Sequence, residues 1–426
     1  MACLVNAMHG QKTTDMLKVF FLVTLIPPLY LCLRLVCKRA WPLWTRLAGC
    51  AFLLVISQVY SLNSAIFRNL SGPDMPDWLL LLQIWLFTSM LLFFLVLLVR
   101  DVWRAAWHLL CAAWRRLRAF RRPASVPGRR AFLRQGLSVG MTLCAPTVCL
   151  GTAAAGLARG TAVPQLQHTE VFFPHLPPGL DGFRIAQLTD VHIGPLTSID
   201  WVRQVVARTN AARPDLICLT GDLTDGRWDY QVARGGSRRE AVREFSSFRA
   251  QHGVFACTGN HEYYSDYAGW MALYEDVGIR MLHNAAVVLQ HHDALLALAG
   301  MDDAMAYGLK PVQTKASLLP AMPGHAQHAL RIVLDHRPIR AAEHAAAGAD
   351  LQLSGHTHGG QCLGMDRIVA RANKGFVRGW YAVSGMPLYV SNGVGLWSGF
   401  PVRLGIPAEI ALITLRLGTG PALRQM

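Results

Sequence analysis

The segment FRIAQLTDVHIG, Phe183–Gly194, runs from an apolar stretch straight into an aspartate and a histidine two residues apart. Read as a buried strand, it delivers Asp190 and His192 to its C-terminal end. Side chains two apart on an extended chain point the same way, so the pair can grip one object. The same grammar recurs downstream. DLICLTGDLTDG reads as a strand ending at Asp222, GVFACTGNHEYY as one ending at Asn260, His261 and Glu262, and ALLALAGMDD as a fourth. LRIVLDHRP ends at His336, and LQLSGHTHGG at His356 and His358. Between the first two strands, Ser198 caps a helical pattern of Ile199, Val202, Val205 and Val206. Strand, helix, strand in this rhythm predicts an α/β domain with ligands gathered at the strand ends.

Asp190, His192, Asp222, Asn260, His336, His356 and His358 sit in short turns, which glycine lets bend sharply at all of them but His336. Imidazole, carboxylate and one amide oxygen suit Mn, Fe or Zn, and the thiolates of a structural zinc site are missing. Seven donors exceed what one ion takes. They match two ions about 3.5 to 4 Å apart that share one carboxylate. A single D-x-H or H-x-H means little in a chain with 16 histidines, and His336 alone reads as a capping or surface residue. Five strand-end contexts in one order carry the metal reading.

That order, DVHIG, TGDLTDG, TGNHEYY, LDHRP and SGHTHGGQ, resembles the calcineurin-like metallophosphoesterase superfamily, especially its small bacterial phosphodiesterase branch that is membrane-tethered or exported by twin-arginine signals. A multi-span front end makes the chain similar also to animal transmembrane proteins with a metallophosphoesterase domain. The resemblance covers about Phe183 to Ile413 and implies a four-layer α/β/β/α sandwich. It implies one cation on Asp190, His192, Asp222 and His358, and another on Asp222, Asn260, His336 and His356, with Asp222 as the bridge. Hydroxide activated at the two cations would attack phosphorus near neutral pH. His261 is then free to steady the phosphate or protonate the leaving oxygen. Glu262 is expected to orient His261 or the turn, and Asp302 and Asp303 to form a strand-end turn. Arg337 stands where related sequences commonly have Asn and adds positive charge beside the phosphate.

The first 160 residues are of another kind. Mean hydropathy is +0.28 and only 16% of residues are charged, and the apolar excess lies here. A bilayer core takes roughly 20 apolar residues per helix. Trp78–Val99 meets that without a charge, Leu47–Phe67 is a second candidate, and Val19–Leu33 is shorter and carries Pro27 and Pro28. Gly136–Ala158 is weaker, built from small residues. Ahead of it GRRAFLRQ, Gly128–Gln135, resembles a twin-arginine export signal read at Arg129 and Arg130, although three candidate spans precede it. The expectation is residues 1–160 as an all-α membrane region of three to four helices with an Arg-rich cytoplasmic loop over 100–134, and residues 165–426 as the sandwich domain. Residues 100–134 hold ten arginines and one aspartate. With that loop and Arg34, Lys38, Arg39 and Arg46 inside, and Arg68–Asp77 outside, four spans put the sandwich on the periplasmic or external face of a bacterial inner membrane.

The net charge of +15 is concentrated beside the apolar segments, which favours membrane topology over a nucleic-acid surface. No nucleic-acid partner is expected. Seven of ten cysteines lie in or beside the apolar half, and Cys218, Cys257 and Cys362 lack CxxC spacing, so no disulfide framework or zinc knuckle is expected. A transporter is disfavoured because no ionisable residue lies well inside the secure spans. In the tail, NGVGLWSG with Trp397 and Phe400, together with Phe376, Trp380 and Tyr381, reads either as an aromatic rim for a lipid-linked substrate or as packing that closes the sandwich. The expected function is a membrane-anchored, two-metal phosphodiesterase, with manganese among the candidate ions. A noncatalytic platform of the same fold is the alternative, and such platforms usually lose ligands, none of which is missing here.

Overall fold

The computed structural model describes residues 21–37, 40–67, 73–117, 127–264, 266–307, 329–397, 399–421 and 423–425. Lys38, Arg39, the Arg68–Gly72 part of the expected outer loop, residues 118–126 of the expected cytoplasmic loop and Ser398 lie outside them. The chain divides into two units: Met1–Ala65 with Leu81–Ala155, and Ile66–Leu80 with Gly156–Met426.

The first unit is helical. It contains α1 (Phe21–Val36), α2 (Leu43–Ser57), α3 (Val59–Phe67) and most of α4 (Asp77–Leu117) and α5 (Pro127–Gly160). Among the described helices, α4 alone is long and apolar enough to cross a membrane, over Asp77–Trp114. The pair α2 and α3, bent by 60° at Gln58, qualifies only as one broken span. At about 1.5 Å per residue, the 41 residues of α4 extend well beyond a hydrocarbon core of about 30 Å. This corrects the expected cytoplasmic loop, which is helical to Leu117 and again from Pro127. No Gly or Pro interrupts residues 78–117, and Ala, Leu and Arg favour continuation. The twin-arginine-like stretch lies within α5, which runs on through Pro146. Polar groups inside this unit find one another: Gln58 Nε2 donates to Thr24 Oγ1 at 3.0 Å, and Asn63 Nδ2 to Gln83 Oε1 at 2.8 Å. Asp101 gathers Arg34, Arg100 and the Tyr30 hydroxyl.

In the second unit two mixed sheets face each other. The first has the order β1-β12-β2-β3-β4-β5, built from Gln165–Phe173, Glu409–Leu417, Arg184–Leu188, Leu216–Thr220, Val254–Cys257 and Ile279–Met281. The second has the order β13-β10-β11-β9-β8-β7-β6, built from Arg424–Gln425, Gly379–Val383, Met386–Val390, Leu351–Ser354, Leu330–Leu334, Ala294–Gly300 and Ala285–His291. Strands β2 to β5 run parallel, as do β7, β8, β9 and β11.

Burial on both faces explains the unbroken apolar runs. Along β3, Leu216 and Cys218 enter the core between the sheets, whereas Ile217 and Leu219 enter the core beneath α6 (Ile199–Ala211), α7 (Arg238–Arg243) and α8 (Tyr267–Asp276). A third core joins the outer face of the second sheet to α9 (Ala341–Ala346). The layers are therefore α/β/β/α. Gln187, fully buried, sets the two sheets against each other: its Nε2 donates to Thr220 Oγ1 on β3 and to the Ser354 carbonyl on β9, both at 3.0 Å. Loops leaving the C-terminal ends of β2, β3 and β4 thus meet those leaving β8 and β9.

Candidate metal centre

These five loops carry the site. Strand β2 ends at Leu188 and β9 at Ser354, so Asp190, His192, His356 and His358 lie beyond the extended chain. The alternation of a strand is therefore not what aims them. Asp190, His192, Asp222, His356 and His358 all have left-handed backbone, with φ of 53°, 49°, 53°, 70° and 49°. Such angles are uncommon outside glycine, and their clustering marks conformations imposed by the surroundings.

Backbone bonds do the imposing. The Asp190 amide donates to the Gly221 carbonyl and the His192 amide to the Asp222 carbonyl, locking the first loop to the second. Glu262 cements the second loop to the third, accepting from the amides of Asp222, Leu223 and Gly259 at 3.1, 2.6 and 2.8 Å. Its role is thus to hold the turn. Gly259 and Gly355 are required by close approach, since a Cβ on Gly259 would collide with Asp222 and one on Gly355 with Thr189 and Asp190.

Two groups of donors converge: Asp190, His192 and His358, and Asp222, His336 and His356, the atoms within each lying within 4.8 Å of one another. A third group, His192, Asp225 and His261, overlaps the first. All seven residues singled out as ligands come to this one region. Their ring protons are set from behind: His192 Nδ1 faces Asp225 Oδ1 at 3.1 Å, His261 Nδ1 faces the same oxygen at 2.6 Å, and His336 Nδ1 faces the Thr220 carbonyl at 2.8 Å. Each acceptor takes the Nδ1 proton and leaves Nε2 pointing inward. The Nε2 of His192 lies 3.1 Å from His358 Nε2 and 3.8 Å from Asp222 Oδ2, and the Nε2 of His336 lies 3.1 Å from Asp222 Oδ2.

The donor set fits divalent cations. Asn260 Oδ1 is buried without a hydrogen-bond partner, which is costly unless an ion takes its lone pair. Asn260 is oriented by donating Nδ2 to the Tyr264 hydroxyl at 3.0 Å. Burial alone would push the Asp222 carboxyl up, but His336, His261 and His192 around it hold it well below the usual carboxylate range. Burial raises Asp190. Burial also pushes His356 and His358 well below the ordinary imidazole value, with Arg337 adding to the first and His192 to the second, and neutral imidazole is the ligand form. Against the opposing effect of burial, Asp222 and Asp225 raise His261 to about 9, and Asp222 raises His336 to about 10.

Arg337 pairs with Asp303 through Nε at 2.6 Å and brings an Nη to 3.3 Å from His356 Nε2, so its charge stands at the site. Asp302 instead binds His283 Nδ1 at 2.8 Å and Asn284. The tail decides between the rim and the packing reading. Phe376 and Tyr381 are buried in the outer core of the second sheet, and Trp380 packs between the sheets and donates to Thr169 Oγ1 at 2.7 Å. They close the sandwich and form no rim. Trp397 does reach the site, its ring 6.2 Å from that of His261.

Two residues escaped the sequence reading. Asp225 was signalled only as the second acid of GDLTDG. Arg403 was signalled only by its place beyond the glycine-rich loop NGVGLWSG: 1% exposed, it donates to the carbonyls of Asn392, Gly395 and Gly393 at 2.7, 2.9 and 3.3 Å and lies within 3.5 Å of the His358 carbonyl.

The profile of the calcineurin-like phosphoesterases matches residues 183–360, which contain every one of the converging donors. An uncharacterized metallophosphoesterase of Helicobacter pylori is 30% identical over 297 residues, covering 68% of this chain and 73% of its own. The chain belongs to the calcineurin-like phosphoesterase family. Similar family members include proteins called transmembrane protein with metallophosphoesterase domain: that of Danio rerio is 31% identical over 282 residues, 65% of this chain and 62% of its own, and that of Bos taurus 32% identical over 298 residues, 68% and 64%. The chain thus spans slightly less than two thirds of the length of these two relatives.

Proposed function

We propose that this chain is a membrane-anchored, metal-dependent phosphodiesterase. One cation would be held by Asp190, His192, Asp222 and His358, the other by Asp222, Asn260, His336 and His356. The observation that carries the reading is the set of inward Nε2 atoms whose Nδ1 protons are taken by Asp225 and Thr220 around one buried carboxylate, Asp222. Divalent Mn, Fe or Zn bound there would neutralise phosphoryl oxygens and lower the pKa of attacking water.

The chain's own residues supply the rest. His261, held at Nδ1 by Asp225, presents Nε2 3.9 Å from Asp222 Oδ2, where it protonates the leaving oxygen. Arg337 draws the anionic substrate, and Trp397 lines the approach. The diester preference rests on the resemblance of the motif order to the small bacterial phosphodiesterase branch. Lipid-linked diesters are favoured by attachment to an apolar helical region. Were all four apolar segments to span, the arginine count would place the sandwich on the periplasmic or external side; Arg34 and Arg100, assigned to the same side, share Asp101.

The test is hydrolysis by the full chain in detergent of bis(p-nitrophenyl) phosphate, p-nitrophenyl phosphate and a phospholipid, with added Mn. Mn-dependent diester cleavage that is abolished in Asp222→Asn is expected. A monoester preference would overturn the diester reading, and bound metal without hydrolysis of any of the three would favour a binding platform.

A further inference from the structure

In the second unit, large apolar side chains that reach solvent concentrate in one place. Of the five among the described residues of the range 160–425, Tyr264, Leu363, Met365, Ile368 and Leu417, three fall within six residues and are 67, 42 and 68% exposed. They belong to a segment running from the metal loop into α10 (Asp366–Ala372), a helix with no buried residue. Arg367, Arg371 and Lys374 are exposed on the same segment and make no ion pair among the described residues. Its one acid, Asp366, is engaged by Arg378 at 3.4 Å. The surface is therefore apolar and basic together.

Its position gives that composition a meaning. The Leu363 amide donates to the Leu404 carbonyl and the Leu404 amide to the Gln361 carbonyl, both at 3.0 Å. The neighbouring Arg403 amide donates to the carbonyl of Gly156, which packs on Val402 and Leu404. Gly156 lies near the end of α5, where the chain leaves its small-residue apolar stretch Gly136–Ala158. Leu363 is thus two backbone pairings, through Leu404 and its neighbour Arg403, from Gly156, and five residues from His358.

We propose that residues 363–374 dock on an anionic lipid surface, with Leu363, Met365 and Ile368 entering the interface and Arg367, Arg371 and Lys374 meeting lipid phosphates. Apolar insertion and attraction to anionic headgroups add in such surfaces. The docking holds the His356–His358 loop at the bilayer. It rests on the membrane anchoring proposed above.

The test is hydrogen exchange of the full chain in nanodiscs of phosphatidylcholine, in nanodiscs of phosphatidylcholine with phosphatidylglycerol, and in detergent. Exchange in 363–374 is expected to slow by about tenfold only with phosphatidylglycerol, equivalent to about 1.4 kcal/mol, and to recover in Ile368→Asp and in Arg367→Glu/Arg371→Glu. Retained cleavage of the chromogenic diester shows that these variants fold. Protection of α4 with identical exchange of 363–374 in all three environments overturns the docking alone. An unprotected α4 overturns the membrane anchoring and the docking with it. Protection that follows protein concentration in detergent identifies a second copy as the occupant and also overturns it.

Discussion

Nδ1 of His261 lies 2.6 Å from Oδ1 of Asp225, and the same oxygen accepts from Nδ1 of His192 at 3.1 Å. One buried carboxylate therefore orients both a proposed ligand and the proposed acid. Asp225→Asn keeps the shape and removes the charge. Metal affinity is expected to fall by about 10- to 100-fold, with a matching loss of activity at limiting metal. Metal content after dialysis and kcat together check this; unchanged values for both would remove Asp225 from the machinery.

His261 and Asp222 separate chemistry from metal binding. His261→Ala is expected to lower kcat by about 10²- to 10⁴-fold while bound metal stays constant. Asp222→Asn is expected to empty both positions, because Asp222 Oδ2 lies 3.1 Å from His336 Nε2 in its own group and 3.8 Å from His192 Nε2 of the other. Elemental analysis of the two variants distinguishes the effects, and metal loss in His261→Ala would make it a ligand.

Arg403 is a buried cation bonded to backbone carbonyls, and no carboxylate pairs with it among the described residues. Arg403→Met leaves at least the Asn392 and Gly395 carbonyls without a donor. Each such group costs about 1–3 kcal/mol, so a loss of several kcal/mol is expected. Urea unfolding midpoints measure it, and a shift of less than about 1 kcal/mol would show that the loop is held otherwise.

The His283–Asp302 pair sets a pH dependence. The hydrogen bond that His283 Nδ1 donates to the Asp302 carboxylate raises the His283 pKa above its ordinary value. A raised histidine contributes stability that is fully present below about pH 6.5 and is lost as pH rises through the raised value. The ring is 38% exposed, so solvent screening limits the contribution to a few tenths of a kcal/mol, roughly. His283→Asn should therefore destabilise more at about pH 5.5 than at about pH 8.5. Equal Tm differences at both would contradict the assignment.

Removing metal should lower Tm. A ligand present at about 100 times its Kd stabilises the folded state by about 2.7 kcal/mol. Thermal unfolding before and after chelation is expected to show a drop that added Mn restores in the parent, while Asp222→Asn responds to neither treatment.

Much of this was legible along the chain. Apolar runs ending in acidic and imidazole residues located β2, β3, β4, β7, β8 and β9, because strands buried on both faces must be apolar and their loops must hold whatever chemistry exists. Glycine beside Asp222 and His356 indicated tight turns. The uninterrupted apolar stretch from Trp78 marked α4, although its continuation to Leu117 did not show, since arginines belong to helices and loops alike.

The sequence alone determined the order of strands and helices and the donor residues at the strand ends, because burial and donor chemistry are properties of residue type and local order; the four layers were implied by the resemblance of the motif order to a known family. The tertiary structure decided the aim. Left-handed backbone at Asp190, His192, Asp222, His356 and His358, Asp225 behind two rings, Glu262 across three amides and Arg403 among carbonyls all depend on groups distant in sequence meeting in space. The burial of Phe376, Trp380 and Tyr381 depends on the same thing: an aromatic side chain is equally suited to a core and to a rim, and only its neighbours choose.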